Sequence, residues 1–284
     1  MGLVLDEAVA GDILFALVRS PIGMQMPAVI QCPYSHTLVY LGNGRIVEGA
    51  PGGVRVRELN QEYLNSFVYI DLFRFRPAAT ELLNMRFLHL FCELLESATG
   101  TLFFGPYRSI FAACRSYVRT KWLRRRIPHR RERVADRPER ITCASLISWA
   151  IHRAACETGN IEIVEARGLT MNVPAFEPWN KTTLLEIREK LVRLANQSRQ
   201  YQPQIWHLSE RSIVNARHQR DMFLSTLQTK PARWGAAHQS GCVPSDLISL
   251  RGMRWIDELE MALIPKKQQC HEEALTRTIN ARMA

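Results

Sequence analysis

The chain of 284 residues predicts an α+β fold, a small antiparallel sheet packed against helices, with a helical C-terminal elaboration. Three observations carry that expectation. β-rich runs separated by turns fill the first 76 residues, and helical periodicity takes over from residue 80. Within the β-rich part, two stretches meet at Gly42-Asn43-Gly44, whose Asn-Gly pair supplies the positive φ angles of a tight hairpin.

The predicted strands fall at 12–18, 36–41, 45–48, 54–57 and 67–75. Gly11-Asp12 before the first strand reads as a turn whose carboxylate bonds local backbone N–H groups, a structural role. Over 80–98, Arg86, His89, Glu93 and Glu96 form a polar stripe on an otherwise apolar helix, which makes His89 an inert surface residue. A second amphipathic helix is expected from Tyr107 to Arg126, with Ile110, Phe111, Cys114, Val118 and Trp122 on one face. Core packing accounts for that face, and membrane contact would be an added role. A third helix runs over 143–156, and His152 and Cys156 within it read as structural.

Beyond residue 157 the prolines of Val173-Pro174-Ala175-Phe176-Glu177-Pro178-Trp179-Asn180 precede an amphipathic helix near 182–198. The organisation expected is a core over 1–157, an insertion or helical lobe over 158–240, and a closing segment with a polar helical tail over 241–284.

Two distant segments carry chemistry. The run from Ser35 to Pro51 places His36 and Glu48 on the two arms of the hairpin, so that they face each other across paired strands. Far downstream, in Ile141-Thr142-Cys143-Ala144-Ser145-Leu146, a cysteine follows a good N-cap residue and opens an apolar helix. A thiol with an ordinary pKa of about 8.5 is only a few per cent thiolate at neutral pH, and the thiolate is the nucleophile. Partial positive charge at a helix N-terminus and a neighbouring imidazolium both lower that pKa. Cys143 is therefore the candidate nucleophile, His36 the proton carrier, and Glu48 the group that orients His36 and supports its charged form. The backbone N–H of Cys143 is the natural oxyanion donor.

This order, His36 then Glu48 then Cys143, resembles the circularly permuted papain-like (NlpC-type) cysteine hydrolases, in which the histidine precedes the cysteine. Gly11-Asp12-Ile13-Leu14-Phe15, the Ser35-His36 hairpin and the cysteine helix are similar to the YaeF/YiiX group of amidases. The hairpin also resembles the lecithin:retinol acyltransferase family. That family carries a second histidine where this chain has Glu48, and an Asn-Cys-Glu-His context where this chain has Thr142-Cys143-Ala144-Ser145, which favours the amidase-like branch. The resemblance spans residues 8–155 and implies a site built from Cys143, His36 and Glu48. Tyr107 in Gly105-Pro106-Tyr107-Arg108 resembles a tyrosine near the nucleophile in several such families and is a candidate supporting residue, although Arg108 replaces their usual aspartate. Val243-Pro244-Ser245-Asp246-Leu247 resembles a segment that often closes NlpC-like domains.

Composition limits the rest. With 46% hydrophobic residues the chain can bury a sizeable core. Seven cysteines without a close Cys-x-x-Cys pair argue against a disulfide framework and a zinc site and for a reducing compartment. No metal or nucleotide cofactor is implied, since Gly42-Asn43-Gly44 lacks the helix and lysine of a phosphate loop. No secretory signal or twenty-residue apolar stretch is present, so synthesis in the cytoplasm is expected, with any export by a specialised secretion system.

The balance of 37 Lys+Arg against 27 Asp+Glu gives +10, and the arginines concentrate in the stretch Arg124–Arg140, read as an exposed loop. Anionic membrane or cell-envelope polymer, nucleic acid without a recognised binding signature, and a loop with no partner are its three readings, and nucleic acid is not expected.

The functional expectation is a thiol hydrolase of the amidase/peptidase or phospholipase/acyltransferase type. Its substrate would be a peptidoglycan peptide amide or a membrane phospholipid ester, and a secreted antibacterial effector of this kind would have a cognate inhibitor protein. The alternative is a catalytically inert papain-like module that holds an anionic partner on its basic surface.

Overall fold

The first strand, β1 (Ile13–Val18), is apolar at nearly every position, and all but its last residue are buried. A strand of that kind belongs in the middle of a sheet covered on both faces. β1 lies between β2 (His36–Gly42) and β5 (Phe67–Phe75), both antiparallel to it. β3 (Arg45–Ala50) and β4 (Gly53–Glu58) extend the sheet on the β2 side, and β8 (Met253–Glu258) closes it on the β5 side. The order is β4-β3-β2-β1-β5-β8 and every pairing is antiparallel. The computed structural model describes residues 7–30, 32–50, 53–76, 80–100, 103–104, 140–159, 209–229, 244–248 and 253–259.

Side-chain alternation sorts the strands into two faces. Ile13, Phe15, Val39, Val47 and Phe73 pack under three helices: α3 (Glu81–Ser97) through Phe87 and Phe91, α4 (Cys143–Glu157) through Ile147 and Ile151, and α5 (Glu210–Thr229) through Phe223 and Leu224. Leu14, Ala16, Leu38, Ile46, Ile70 and Leu72 form a second core on the opposite face, with Leu64 of the short α2 (Gln61–Leu64) and Leu259. A two-stranded parallel ribbon pairs β6 (Phe103–Phe104) with β7 (Arg140–Ile141), and β7 leads directly into the cap of α4. No helix among the described residues is long and apolar enough to cross a membrane.

The five expected N-terminal strands are present with ends shifted by at most two residues, and the helices expected at 80–98 and 143–156 are α3 and α4. Further elements lie where none was expected, the β6–β7 ribbon among them. α1 (Pro21–Ile30) starts at Ser20, whose hydroxyl accepts the Gly23 N–H at 3.0 Å, with a proline at its first position. Gly23 is required there, since a Cβ would lie 2.3 Å from the Val18 carbonyl oxygen. α2 is a single turn capped by Asn60. β8 follows α6 (Pro244–Ile248) in the closing segment. The helix expected at Tyr107–Arg126, the arginine-rich stretch from 124 to 139, the helix near 182–198 and the tail from Lys266 lie outside the described residues, whereas Arg140, read as the end of an exposed loop, opens β7.

α5 is fastened to the sheet by a buried ion pair. Asp71, at the centre of β5 and fully buried, accepts Arg220 Nε at 2.7 Å and Nη2 at 2.6 Å, the Tyr34 hydroxyl at 2.7 Å and Trp255 Nε1 at 3.2 Å. Burial pushes the Asp71 carboxyl above its ordinary range, against the pull of Arg220 and Tyr34. Removing one partner of such a pair strands the other charge in the core. Arg220→Ala is expected to destabilise the protein by about 3–5 kcal/mol in urea unfolding. Arg45→Ala, which removes a pair with Glu96 in which both side chains are nearly half exposed, is expected to cost less than about 1 kcal/mol.

Candidate active site

The β2–β3 hairpin turns on Asn43 at φ 52° and Gly44 at φ 71°, the left-handed pair that a two-residue turn demands. The register sets Leu38 opposite Glu48. His36, two residues before Leu38, therefore projects on the same face as Glu48 and reaches it diagonally. His36 Nε2 lies 2.8 Å from Glu48 Oε2, which leaves Nδ1 as the ring nitrogen available to a third group. The ring also stacks on Phe67, with centroids 6.4 Å apart and planes inclined by 10°.

That third group is Cys143. Thr142 caps α4 with extended backbone angles, its hydroxyl accepts the Ser145 N–H at 3.2 Å, and the Ser145 hydroxyl accepts the Thr142 N–H at 2.6 Å. This reciprocal box fixes Cys143 as the first helical residue. The helix start is seated on β3 at Gly49, where a Cβ would stand 3.4 Å from Cys143 Cα, leaving room for a methyl and little more. The half-buried Cys143 thiol interacts with the His36 imidazole and with the hydroxyl and backbone N–H of Thr37. Thr37 is fully buried, and among the described residues its hydroxyl has no group other than this thiol to interact with.

Electrostatics separates this cysteine from Cys92. Burial raises the Cys143 thiol, but the facing imidazolium and the Thr37 donors outweigh it and hold the thiol below its ordinary range. At Cys92, burial with nothing to oppose it pushes the thiol up to about 12. Burial lowers His36, but the Cys143 thiolate, and after it Glu48, raise it to about 10. Each group thus favours the charged form of the other.

Glu48 is only 3% exposed, and burial alone would push its carboxyl up; His36, then Tyr63, then Arg55 overcome that and bring it to about 2. The Tyr63 hydroxyl donates to Oε2 at 2.7 Å, Arg55 Nε donates to Oε1 at 3.0 Å, and Arg57 Nε lies 3.3 Å from Oε1.

His36, Glu48 and Cys143, singled out 107 positions apart at the extremes, thus meet in one place (143 − 36 = 107). Tyr107 lies outside the described residues. Asp12 accepts the Val9 N–H at 2.9 Å and two bonds from Arg74, a structural arrangement. His89 is exposed beside Glu93, His152 is buried and its imidazole is pushed below its ordinary range by that burial, and Cys156 is exposed. Sequence reasoning missed Thr37, Arg55, Arg57 and Tyr63. Arg55 had a signal: Val54-Arg55-Val56-Arg57 alternates as a strand, and a hairpin between β3 and β4 sets Arg55 directly opposite Glu48. Thr37 and Tyr63 had none. Among the described residues, no group of three or more His, Cys, Asp or Glu side chains is placed to hold a metal ion.

No family model matches the chain, and no curated protein matches it. Among solved structures, the chain is similar to the metalloprotein YiiX from Escherichia coli O157:H7 at 12% identity and a TM-score of 0.41, over 88% of this chain and 98% of that one.

Proposed function

We propose that this chain is a cysteine hydrolase that cleaves an acyl bond, amide or ester, through a thioester intermediate. The observation that carries the reading is the convergence of Cys143, on a capped helix N-terminus, with an imidazole whose other nitrogen is held by a buried carboxylate. The Cys143 thiolate attacks the substrate carbonyl carbon, and the carbonyl oxygen takes the negative charge beside the Cys143 backbone N–H. Collapse of that intermediate breaks the bond to the leaving amine or alkoxide, which takes the proton from His36. His36 then removes a proton from water, the hydroxide attacks the thioester carbonyl, and the acid leaves as the thiolate is restored. An amine or alcohol in place of water would make the same machinery an acyltransferase.

The order His36, Glu48, Cys143 and the antiparallel sheet beneath a cysteine helix support a permuted papain-like arrangement of the NlpC type. The substrate proposed is a component of the bacterial cell envelope, either the peptide amides of peptidoglycan or the ester bonds of phospholipid. The net charge of +10 supports an anionic target of this kind. Export as an antibacterial effector, countered by a cognate inhibitor protein, fits the same reading.

Mass spectrometry of an envelope fraction after incubation tests it. Wild type should release either lysophospholipid with free fatty acid or stem peptides with new termini, and Cys143→Ala should release neither. Identical products from the two proteins, together with a Cys143 thiol that alkylates no faster than free cysteine, would overturn the proposal. His36→Ala should lower kcat/KM by about 10²–10⁴-fold. The pH profile should be bell-shaped. Its acid limb lies below the ordinary thiol range, where the thiolate forms, and its alkaline limb lies near 10, where the imidazolium is lost. Because Glu48 raises His36, Glu48→Gln should pull the alkaline limb down toward the ordinary imidazole range and narrow the plateau. An alkaline limb that does not move would remove Glu48 from the mechanism.

A further inference from the structure

Among the described residues three carboxylates are buried, and two are treated alike. Asp12, fully buried, receives one guanidinium through two atoms, Arg74 Nε at 2.9 Å and Nη2 at 2.8 Å. Asp71 receives Arg220 in the same way. One arginine suffices in each case because the planar fork matches both oxygens and one positive charge balances one negative.

Glu48 departs from that pattern. Two arginines approach it, each with Nε facing Oε1, while Oε2 is taken by His36 and Tyr63. Among the described residues, no hydrogen bond reaches the terminal nitrogens of either guanidinium. Arg55 and Arg57 are 40% and 39% exposed, against 26% for Arg74 and 7% for Arg220. The Cys143–His36 pair shares one proton and is neutral overall wherever that proton sits, and Glu48 balances one arginine, so one positive charge is left over beside Glu48.

The two groups are also held in place before anything binds. They sit two residues apart on β4, one of the two edge strands of the sheet, and therefore project on one face. Their Nε ends are anchored on Glu48, and the Arg57 guanidinium lies over the Tyr63 ring, 5.5 Å from its centroid. Ordering two long side chains in advance removes much of the entropy cost of binding an anion between them.

We propose that Arg55 and Arg57 form a subsite for an anionic oxygen group of the substrate, a carboxylate or a phosphate, beside the His36–Glu48 pair. The subsite rests on the hydrolase reading for its substrate, and it selects acyl compounds that carry such a group a few bonds from the scissile carbonyl. A neutral analogue leaves the surplus charge unpaired.

The test uses three chloroacetyl amides with the same electrophilic carbon and different tails: glycine, ending in a carboxylate; aminomethylphosphonate, a phosphate mimic; and glycinamide, neutral. Alkylation of Cys143 in the full chain is followed on its own peptide by mass spectrometry. The ratio of an anionic to the neutral rate is independent of how much thiolate is present. In wild type at least one anionic reagent should outrun the neutral one by about tenfold, the worth of one charge-assisted contact, and the faster tail identifies the anion. In Arg55→Gln/Arg57→Gln the ratio should fall toward one; Arg57→Gln alone, which keeps the Arg55 bond to Glu48, should show a partial fall in a less perturbed protein. Arg45→Gln, which removes the same charge elsewhere on the sheet, should leave the ratio unchanged. No lead in wild type, a lead that survives the double substitution, or an equal fall in Arg45→Gln would overturn the subsite. Failure of the hydrolase reading shows differently, as a neutral-reagent rate no faster than that of an ordinary thiol.

Discussion

Glu48 is a carboxylate taken almost entirely out of water, and the elements around it are arranged by the need to keep it charged. A buried carboxyl without partners protonates, because the low-dielectric interior disfavours the anion far more than the neutral acid. Here β2 supplies His36, β4 supplies Arg55 and Arg57, and α2 supplies Tyr63. The hairpin register is fixed by the same requirement. A slip of one residue between β2 and β3 would turn Glu48 to the helix-covered face, where its neighbours are Val39 and Val47.

The opposite end of the sheet uses the same device for a different purpose. Asp71 draws Arg220 from 149 residues away, and Arg220 Nη1 and Arg217 in turn reach the two oxygens of Glu258 on β8 at 2.9 and 2.7 Å. Net stability from such pairs is small, since desolvation consumes most of the attraction, but a mispaired alternative leaves a naked charge in the core. The network thus specifies where α5 and β8 dock while Phe223 and Leu224 supply the apolar area. Helix face and sheet face carry one hub each, so the site lies on a framework anchored from both ends of the chain.

What could be read from the sequence follows from this division. Strand alternation, the Asn43-Gly44 turn and the Thr142 cap are local signals, and the elements they mark are where they were expected. The approach of His36 to Glu48 was legible because a tight hairpin makes a separation of twelve residues a cross-strand contact. Its approach to Cys143 had no local rule to show it; the cap-then-cysteine context made Cys143 the candidate, and the order of histidine before cysteine added a resemblance. α1 was missed although Ser20-Pro21 is a good helix start, because Gly23 and Pro27 inside it oppose helix formation and close packing against Val18 decides the matter. β8 alternates weakly and is only half-buried, and it becomes a strand by pairing with the exposed edge of β5. The Asp71 hub had no local signature at all.

The arginines beside Glu48 act on the imidazolium in two opposed ways, and magnitude decides between them. Directly, two positive charges near His36 disfavour its protonated form. Indirectly, they keep Glu48 ionised, and Glu48 touches the ring at 2.8 Å through a charge-assisted hydrogen bond. Coulomb energy falls with distance and with the effective dielectric, and both guanidinium groups are well exposed to water while the carboxylate is not. Together with the larger pull of Cys143, the contact at the ring outweighs the more distant, better screened repulsion, and His36 stays above its ordinary range with the arginines present. The protein can thus hold a surplus positive charge against its imidazolium without discharging it. That arrangement suits a site that must meet an anion and still keep a proton ready for the leaving group.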